Sequence, residues 1–185
     1  MARNDQVEPE GAAGSAVTMS QETLDRLLRL ADRIEIEDVI CGETMMGDLL
    51  DPSVATGKFY TPDATVTFGR LDDPNRMPIP ITQYKEMIES LLPDFDFRQH
   101  QMTNFIVEID GDSADCRCMI STHVHIGDDV HHGYGMYHHE LVRTPEGWRI
   151  CRQETDMRIA EGELMKGDSK LAQLATDPTK AESEE

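Results

Sequence analysis

"RQHQMTNFIVEIDGDSADCRCMI", Arg98 to Ile120, decides how this chain folds. Polar and apolar residues alternate on both sides of "DGDS" at 110–113, a sequence that suits a tight hairpin turn. Period two is the signature of a strand with one face toward a core. The same period continues outward. Strands are expected at about 98–109, 113–126, 132–144 and 147–158, with turns at "DGDS", at "GDD" (127–129) and at "TPEG" (144–147). Four strands joined by short turns make an antiparallel meander.

Upstream the period becomes helical. Thr18 and Ser20 are both good N-caps. Leu24, Leu27, Leu28, Ala31 and Ile34 follow at helical spacing, and Ile36, Val39, Ile40 and Met46 extend an apolar side toward Asp48; the pattern allows a bend between the two sets. Asp51 and Pro52 read as a cap and a first helical residue of a short second helix ending near Gly57 to Tyr60. A strand is expected at Ala64 to Phe68, then the proline-rich loop "RLDDPNRMPIP", then a third helix capped by Thr82 and stopped by Pro93. Helices on one face of a curved antiparallel sheet make an α+β domain, and a cone-shaped sheet would enclose a pocket against them.

With 185 residues the chain suits one domain. Residues 1–17 are small and polar and read as a disordered lead-in, 18–160 as the folded domain, and 161–185 as an acidic tail. Within that tail, Lys166 to Ala175 reads as a short helix placed to lie over the pocket mouth. No apolar run approaches the roughly 18 residues of a membrane span, and the N-terminus lacks the apolar core of a secretory signal. A formal net charge of −19 repels phosphate backbones, which argues against a nucleic-acid partner. Cys41, Cys116, Cys118 and Cys151 lack zinc-knuckle spacing and suit a reduced, cytoplasmic protein.

The chemistry-bearing residues lie on these elements. On a regular strand His100, Met102 and Asn104 share one face with Ile106 and Glu108, while Phe105 and Val107 face the other way; the pattern leaves open which face looks inward. Asp48 ends an otherwise apolar helical face, where a buried carboxylate needs a partner. An Asp facing a His across a pocket would fix the imidazole tautomer and stabilise its charged form, and the imidazole would then act as general base and acid. Such a pair needs no cofactor and suits elimination or isomerisation. Six of the seven histidines fall between His123 and His139. His123 and His125 alternate on one strand face and, with His139, form the alternative reading of a metal-dependent oxygenase. His131 and His132 fall at a turn in this reading. If Tyr137 faces inward, His139 and Leu141 do too, and His138 faces out.

The stretches "LADRIEIEDVICGETMMGD" (30–48), "FYTPDATVTF" (59–68), "RQHQMTN" (98–104) and "MYHHELVRTPEGWRI" (136–150), in this order, resemble the SnoaL-like branch of the NTF2-like superfamily, which includes scytalone dehydratase and hexachlorocyclohexane dehydrochlorinase type lyases. The resemblance implies a cone of three helices and a curved sheet. It implies Asp48 and His100 as the catalytic pair, Phe68 as a pocket aromatic after the first strand, and a polar pair near Gly135 and Tyr137. A second histidine on the middle strand has no clean match: register leaves Val124, with His123 and His125 beside it, and a β-bulge would turn one of them inward. Phe68, Asn104, His125, Tyr137 and His139 are the expected substrate-binding residues. The expected function is a cofactor-independent lyase that eliminates water, halide or an aldehyde from a small apolar, aromatic or steroid-like catabolic substrate. The alternative on the same fold is a non-catalytic binding or assembly module. A homo-oligomer, dimer or trimer, is implied through the convex face of the sheet.

Overall fold

The structure is a computed structural model that describes residues 19–49, 57–91 and 95–162. The expected N-terminal lead-in, the Asp51–Pro52 helix start and the acidic tail beyond Gly162 lie outside the described residues. Helix α1 spans Gln21–Asp48, and its N-cap is Ser20, whose side chain accepts the Thr23 N–H. It runs unbroken where the pattern allowed a bend. Its buried residues begin at Ile36 and continue at helical spacing through Val39, Ile40, Glu43 and Thr44. Leu24, Leu27, Leu28 and Ile34, read as part of one core stripe, are exposed. A helical turn at 57–59 leads into β1 (Tyr60–Thr67), and β2 (Ile79–Pro80) is followed directly by α2 (Ile81–Leu91).

The meander forms as the alternation predicts: β3 (Phe97–Asp110), β4 (Ser113–Ile126), β5 (Asp129–Thr144) and β6 (Gly147–Gly162). Strand β5 begins at Asp129, so His131 and His132 stand on the strand and not at the turn. The sheet order is β2-β1-β6-β5-β4-β3, in a curved sheet that does not close. It is mixed: β1 pairs with β6 in parallel, while β3 to β6 are antiparallel throughout. A strand's side-chain period carries no direction, so the parallel edge was not readable from "DATVTF".

Register sets what each strand shows the helices. His100 pairs with Thr122 and Thr122 with Gly133; Arg98 pairs with Val124 and Val124 with His131; Cys118 pairs with Tyr137 and Tyr137 with Thr155; Cys116 pairs with His139 and His139 with Gln153. Cys116, Cys118, Ile120, Thr122 and Val124 are buried on this inner face. The core under α1 joins Ile36, Val39 and Ile40 to Val66, Cys116, Leu141, Trp148 and Ile150. Trp148 of "GWRI" is fully buried, with the Arg143 guanidinium 4.3 Å from the ring centroid.

Irregularities fall between Thr103 and Ile106 in the β3–β4 ladder, and at Tyr134/Gly135 and Glu140/Leu141 in the β5–β6 ladder. Such bulges bend the strands that carry them. At the first, Asn104 takes a left-handed φ of 58°. At the second, Gly135 is required, because a Cβ there would stand 2.3 Å from the Asp156 carbonyl oxygen.

Candidate active site

Asp48 is the last residue of α1, and His100 is the fourth residue of β3. The Asp48 carboxylate holds His100 at two points. Oδ1 lies 2.5 Å from the ring Nδ1, and Oδ2 accepts the His100 backbone N–H at 2.7 Å. Two contacts from one carboxylate fix both the position of the strand and the rotation of the ring. With Nδ1–H donated to Asp48, the other ring nitrogen, Nε2, carries the lone pair and can accept a proton. The side chains are 16% and 20% exposed, so the pair is sheltered yet reachable.

Arg98, two residues before His100 and on the same face, completes this corner. Its side chain is 7% exposed, its Nε lies 3.8 Å from Asp48 Oδ1, and its guanidinium donates to the Gly47 carbonyl. It also stacks 5.2 Å from the Phe95 ring centroid. The last turn of α1 has no basic residue of its own, so Arg98 supplies the positive charge that a helix C-terminus and a buried carboxylate both favour. Sequence reasoning passed over Arg98. Its spacing of two from His100 was the available signal.

A second polar group lies deeper. Glu43 is 6% exposed within the apolar stripe of α1. Thr44 Oγ1 lies 3.2 Å from its Oε2. Burial pushes the Glu43 carboxyl above the usual carboxylate range, against the opposing pulls of the Tyr60 hydroxyl, His100, Thr44 and Arg98. Tyr60 donates to Gln153 Oε1 at 2.5 Å, and burial holds its phenol well above its ordinary value. Burial also raises the phenols of Tyr84 and Tyr137. Glu43, Tyr60 and Gln153 were not singled out in the sequence. A glutamate inside an apolar helical stripe was the one visible hint.

The expected binding residues divide. Tyr137 and His139 point inward and are buried, their rings 5.6 Å apart, and His138 sits on the outer face against Asp115. Burial drives His139 down to about 3, with His138 adding to the drop and Gln153 opposing it. Gln153 is thus close enough to influence the ring, yet neither ring nitrogen meets hydrogen-bond geometry with a partner among the described residues. His139 is therefore a neutral imidazole with unused valences. The buried Thr155 hydroxyl is also unpartnered among the described residues. Phe68 is half-buried, 5.5 Å from the Tyr84 ring, and packs against core residues under both helices.

Asn104 does not share the His100 side. The bulge resets the alternation, so that Phe105, Val107 and Ile109 pack inward, and Asn104 is exposed. His125 also stays off that side. The β3–β4 and β4–β5 ladders run without irregularity around it, so Val124 faces in and His125 rests on Phe97, 5.6 Å between ring centroids, on the outer face. His123 meets His132 there, Nδ1 to Nδ1 at 2.7 Å. His123 and His125 are thus separated by the sheet from His139, and these three cannot bind one metal ion. His131 is buried on the inner face, with burial lowering its pKa. A concavity of about 400 Å³ lined by Glu108, Asp110, Asp115, Glu140 and Cys151 contains neither Asp48 nor His100. Its acidic lining would repel the anionic intermediates of elimination, so it is not a place for that chemistry.

The chain belongs to the SnoaL-like domain family, whose model matches residues 28–154. Its relatives include an uncharacterized protein of Mycobacterium tuberculosis and a counterpart in Mycobacterium bovis, each 30% identical over 135 residues that cover 67% of this chain and 84% of theirs. Among solved structures, a protein of Novosphingobium aromaticivorans assigned as a scytalone dehydratase superposes with a TM-score of 0.64 at 17% identity, covering 75% of this chain and 90% of that one. A hexachlorocyclohexane dehydrochlorinase of Novosphingobium barchaimii superposes with a TM-score of 0.62 at 16% identity, covering 74% and 93%. At such identities the likeness is one of fold: an α+β, NTF2-like cone. Among the described residues no helix is long and apolar enough to cross a membrane.

Proposed function

We propose that this protein is a lyase that removes a proton and a leaving group from a small, largely apolar or aromatic molecule, with His100 as the base and Asp48 as the residue that orients it. The observation that carries this reading is the two-point grip of one carboxylate on the His100 ring and backbone, at 2.5 and 2.7 Å. It holds the imidazole with Nε2 free to take a proton, and no other group is needed for the abstraction. The fold's likeness to a dehydratase and a dehydrochlorinase supports the same class of reaction.

The inner face offers the remaining parts. Tyr137, His139 and the Thr155 hydroxyl provide neutral hydrogen-bonding groups for a carbonyl or hydroxyl of the substrate. Phe68, Tyr84 and Met102 provide apolar surface. The four cysteines are free thiols, which fits a reducing compartment such as the cytoplasm. The outer face exposes Met119, Tyr134, Met136 and Ile159, and supports a homo-oligomer packed through it.

Elimination from a panel of aryl compounds carrying β-hydroxy, β-halo or aldol leaving groups tests the reading. His100→Ala and Asp48→Asn should each lower turnover by about a hundredfold or more without loss of the folded state. Wild-type rates in either variant would exclude the pair. A chain that binds these compounds but turns over none of them is a binding module.

A further inference from the structure

The clustered histidines include a pair that the elimination chemistry does not use. His123 on β4 and His132 on β5 are direct partners in the antiparallel ladder, and both rings stand half-buried on the outer face of the sheet. Side chains directly opposite on such strands start about 5 Å apart at Cβ, close enough for two imidazoles to reach one point. The rings meet with centroids 4.5 Å apart and planes at 83°, and the two Nδ1 atoms lie 2.7 Å from each other. One Nδ1 therefore carries the proton of this contact and the other offers its lone pair. The register extends the row to both sides: Gln99 of β3 lies opposite His123, and Glu161 of β6 lies opposite His132. No lysine or arginine belongs to this row. Asp128 and Asp129, both exposed, stand where β4 turns into β5.

We propose that His123 and His132 form a two-point binding site for a divalent ion of the zinc, nickel and copper group. Imidazole nitrogen is a donor these ions favour, whereas magnesium and calcium favour oxygen. Two nitrogens bound to one such ion at about 2.0–2.1 Å each stand roughly 3 Å apart. A slight outward rotation of either ring opens 2.7 Å to that span. The ion takes the place of the shared proton. The ring that donated from Nδ1 passes to its Nε2–H tautomer through solvent, so both Nδ1 lone pairs face the metal and neither ring changes its charge. Once one imidazole is bound, the strand register holds the second beside the ion, and the pair binds far more tightly than either ring alone. Among the described residues no third histidine, cysteine or carboxylate joins the pair to make a three-residue site, so water completes the coordination. The net charge of −19, with Glu161 in the same row, draws cations to this face. The bound ion cross-links β4 to β5 near their turn. The site shares no residue with the His100–Asp48 pair, and the proposal stands apart from the lyase reading.

Calorimetric titration of the untagged full chain with Cu²⁺, Ni²⁺ and Zn²⁺ tests the site, with excess Mg²⁺ present to occupy the acidic surface. Wild type should bind one transition-metal ion per chain through these two rings. His123→Gln and His132→Gln should each weaken that binding about a hundredfold, because each leaves a single imidazole. His125→Gln, His138→Gln and His100→Ala should leave it within a few-fold. The metal should raise the melting temperature of wild type and not of either pair variant. The Cu²⁺-loaded wild-type chain should show two nitrogen ligands by electron paramagnetic resonance, a readout that needs no variant to fold. Unchanged binding in both pair variants, displacement of Cu²⁺ by Mg²⁺, or a copper spectrum with oxygen ligands alone would overturn the site. A loss in His125→Gln as large as in the pair variants would overturn the pairing.

Discussion

His139 ties the stability of the protein to pH. Its ring is fully buried and its pKa falls from 6.5 to about 3. The unfolded chain therefore binds a proton more readily than the folded one. Stability is fully present above about 6.5 and drains away as pH falls toward about 3. Urea midpoints measured from neutral to acid pH should drop, and His139→Asn should flatten that drop. Glu43 acts in the opposite direction. Its raised carboxyl pKa favours the folded state while protonated, and that advantage is lost as pH rises through the folded-state value. Glu43→Gln should therefore gain on wild type as the medium becomes alkaline, read by the same denaturant series. Arg98→Met should cost about 3 kcal/mol, because it leaves the Asp48 charge and the Gly47 carbonyl without their buried partner. Glu43 and Arg98 were quiet in the sequence, and His139 was legible there as an inward-facing residue but not as a pH-sensitive one. Burial and facing charge give them their properties, and neither is a property of the residue alone.

Among the elements, β3 decides which side chains share the inner face with His100. Period two holds from Arg98 to Met102, where His100 pairs with Thr122. Carried onward, the same rule put Asn104 beside His100. The bulge between Thr103 and Ile106 adds a residue and inverts the phase, so Phe105, Val107 and Ile109 turn inward. Asn104 makes the bulge possible by accepting φ 58°. Asn104→Gly should fold as well as wild type, whereas Asn104→Val should lose about 1–2 kcal/mol in thermal or denaturant unfolding. Asparagine is among the few residues that tolerate this conformation, but nothing nearby in the chain marks it as the site of a bulge. By contrast, β4 is regular along its length, and its burial follows the predicted alternation from Ala114 to Val124.

For the molecule as a whole, a net charge of −19 is its largest liability. Self-repulsion opposes the compact state, so added salt should raise the melting temperature until screening is complete. The exposed methionines and Tyr134 on the outer face point the same way as the expected oligomer. Met136→Glu should lower the mass measured by sedimentation, and an unchanged mass would place the contact elsewhere.

The sequence by itself determined α1 and its serine cap, the four-strand meander, the inward set of Tyr137 and His139, and the positions of Asp48 and His100. Each of these is a matter of local period, cap or turn chemistry, written within a dozen or so neighbouring residues. Only the tertiary structure decided the parallel edge between β1 and β6, the outward side of His125, the phase beyond Asn104, and the meeting of Glu43, Tyr60, Arg98 and Gln153. Those four come from α1, β1, β3 and β6. Their convergence is set by strand direction and sheet curvature, which depend on contacts between residues far apart in the chain and leave no trace in any local pattern.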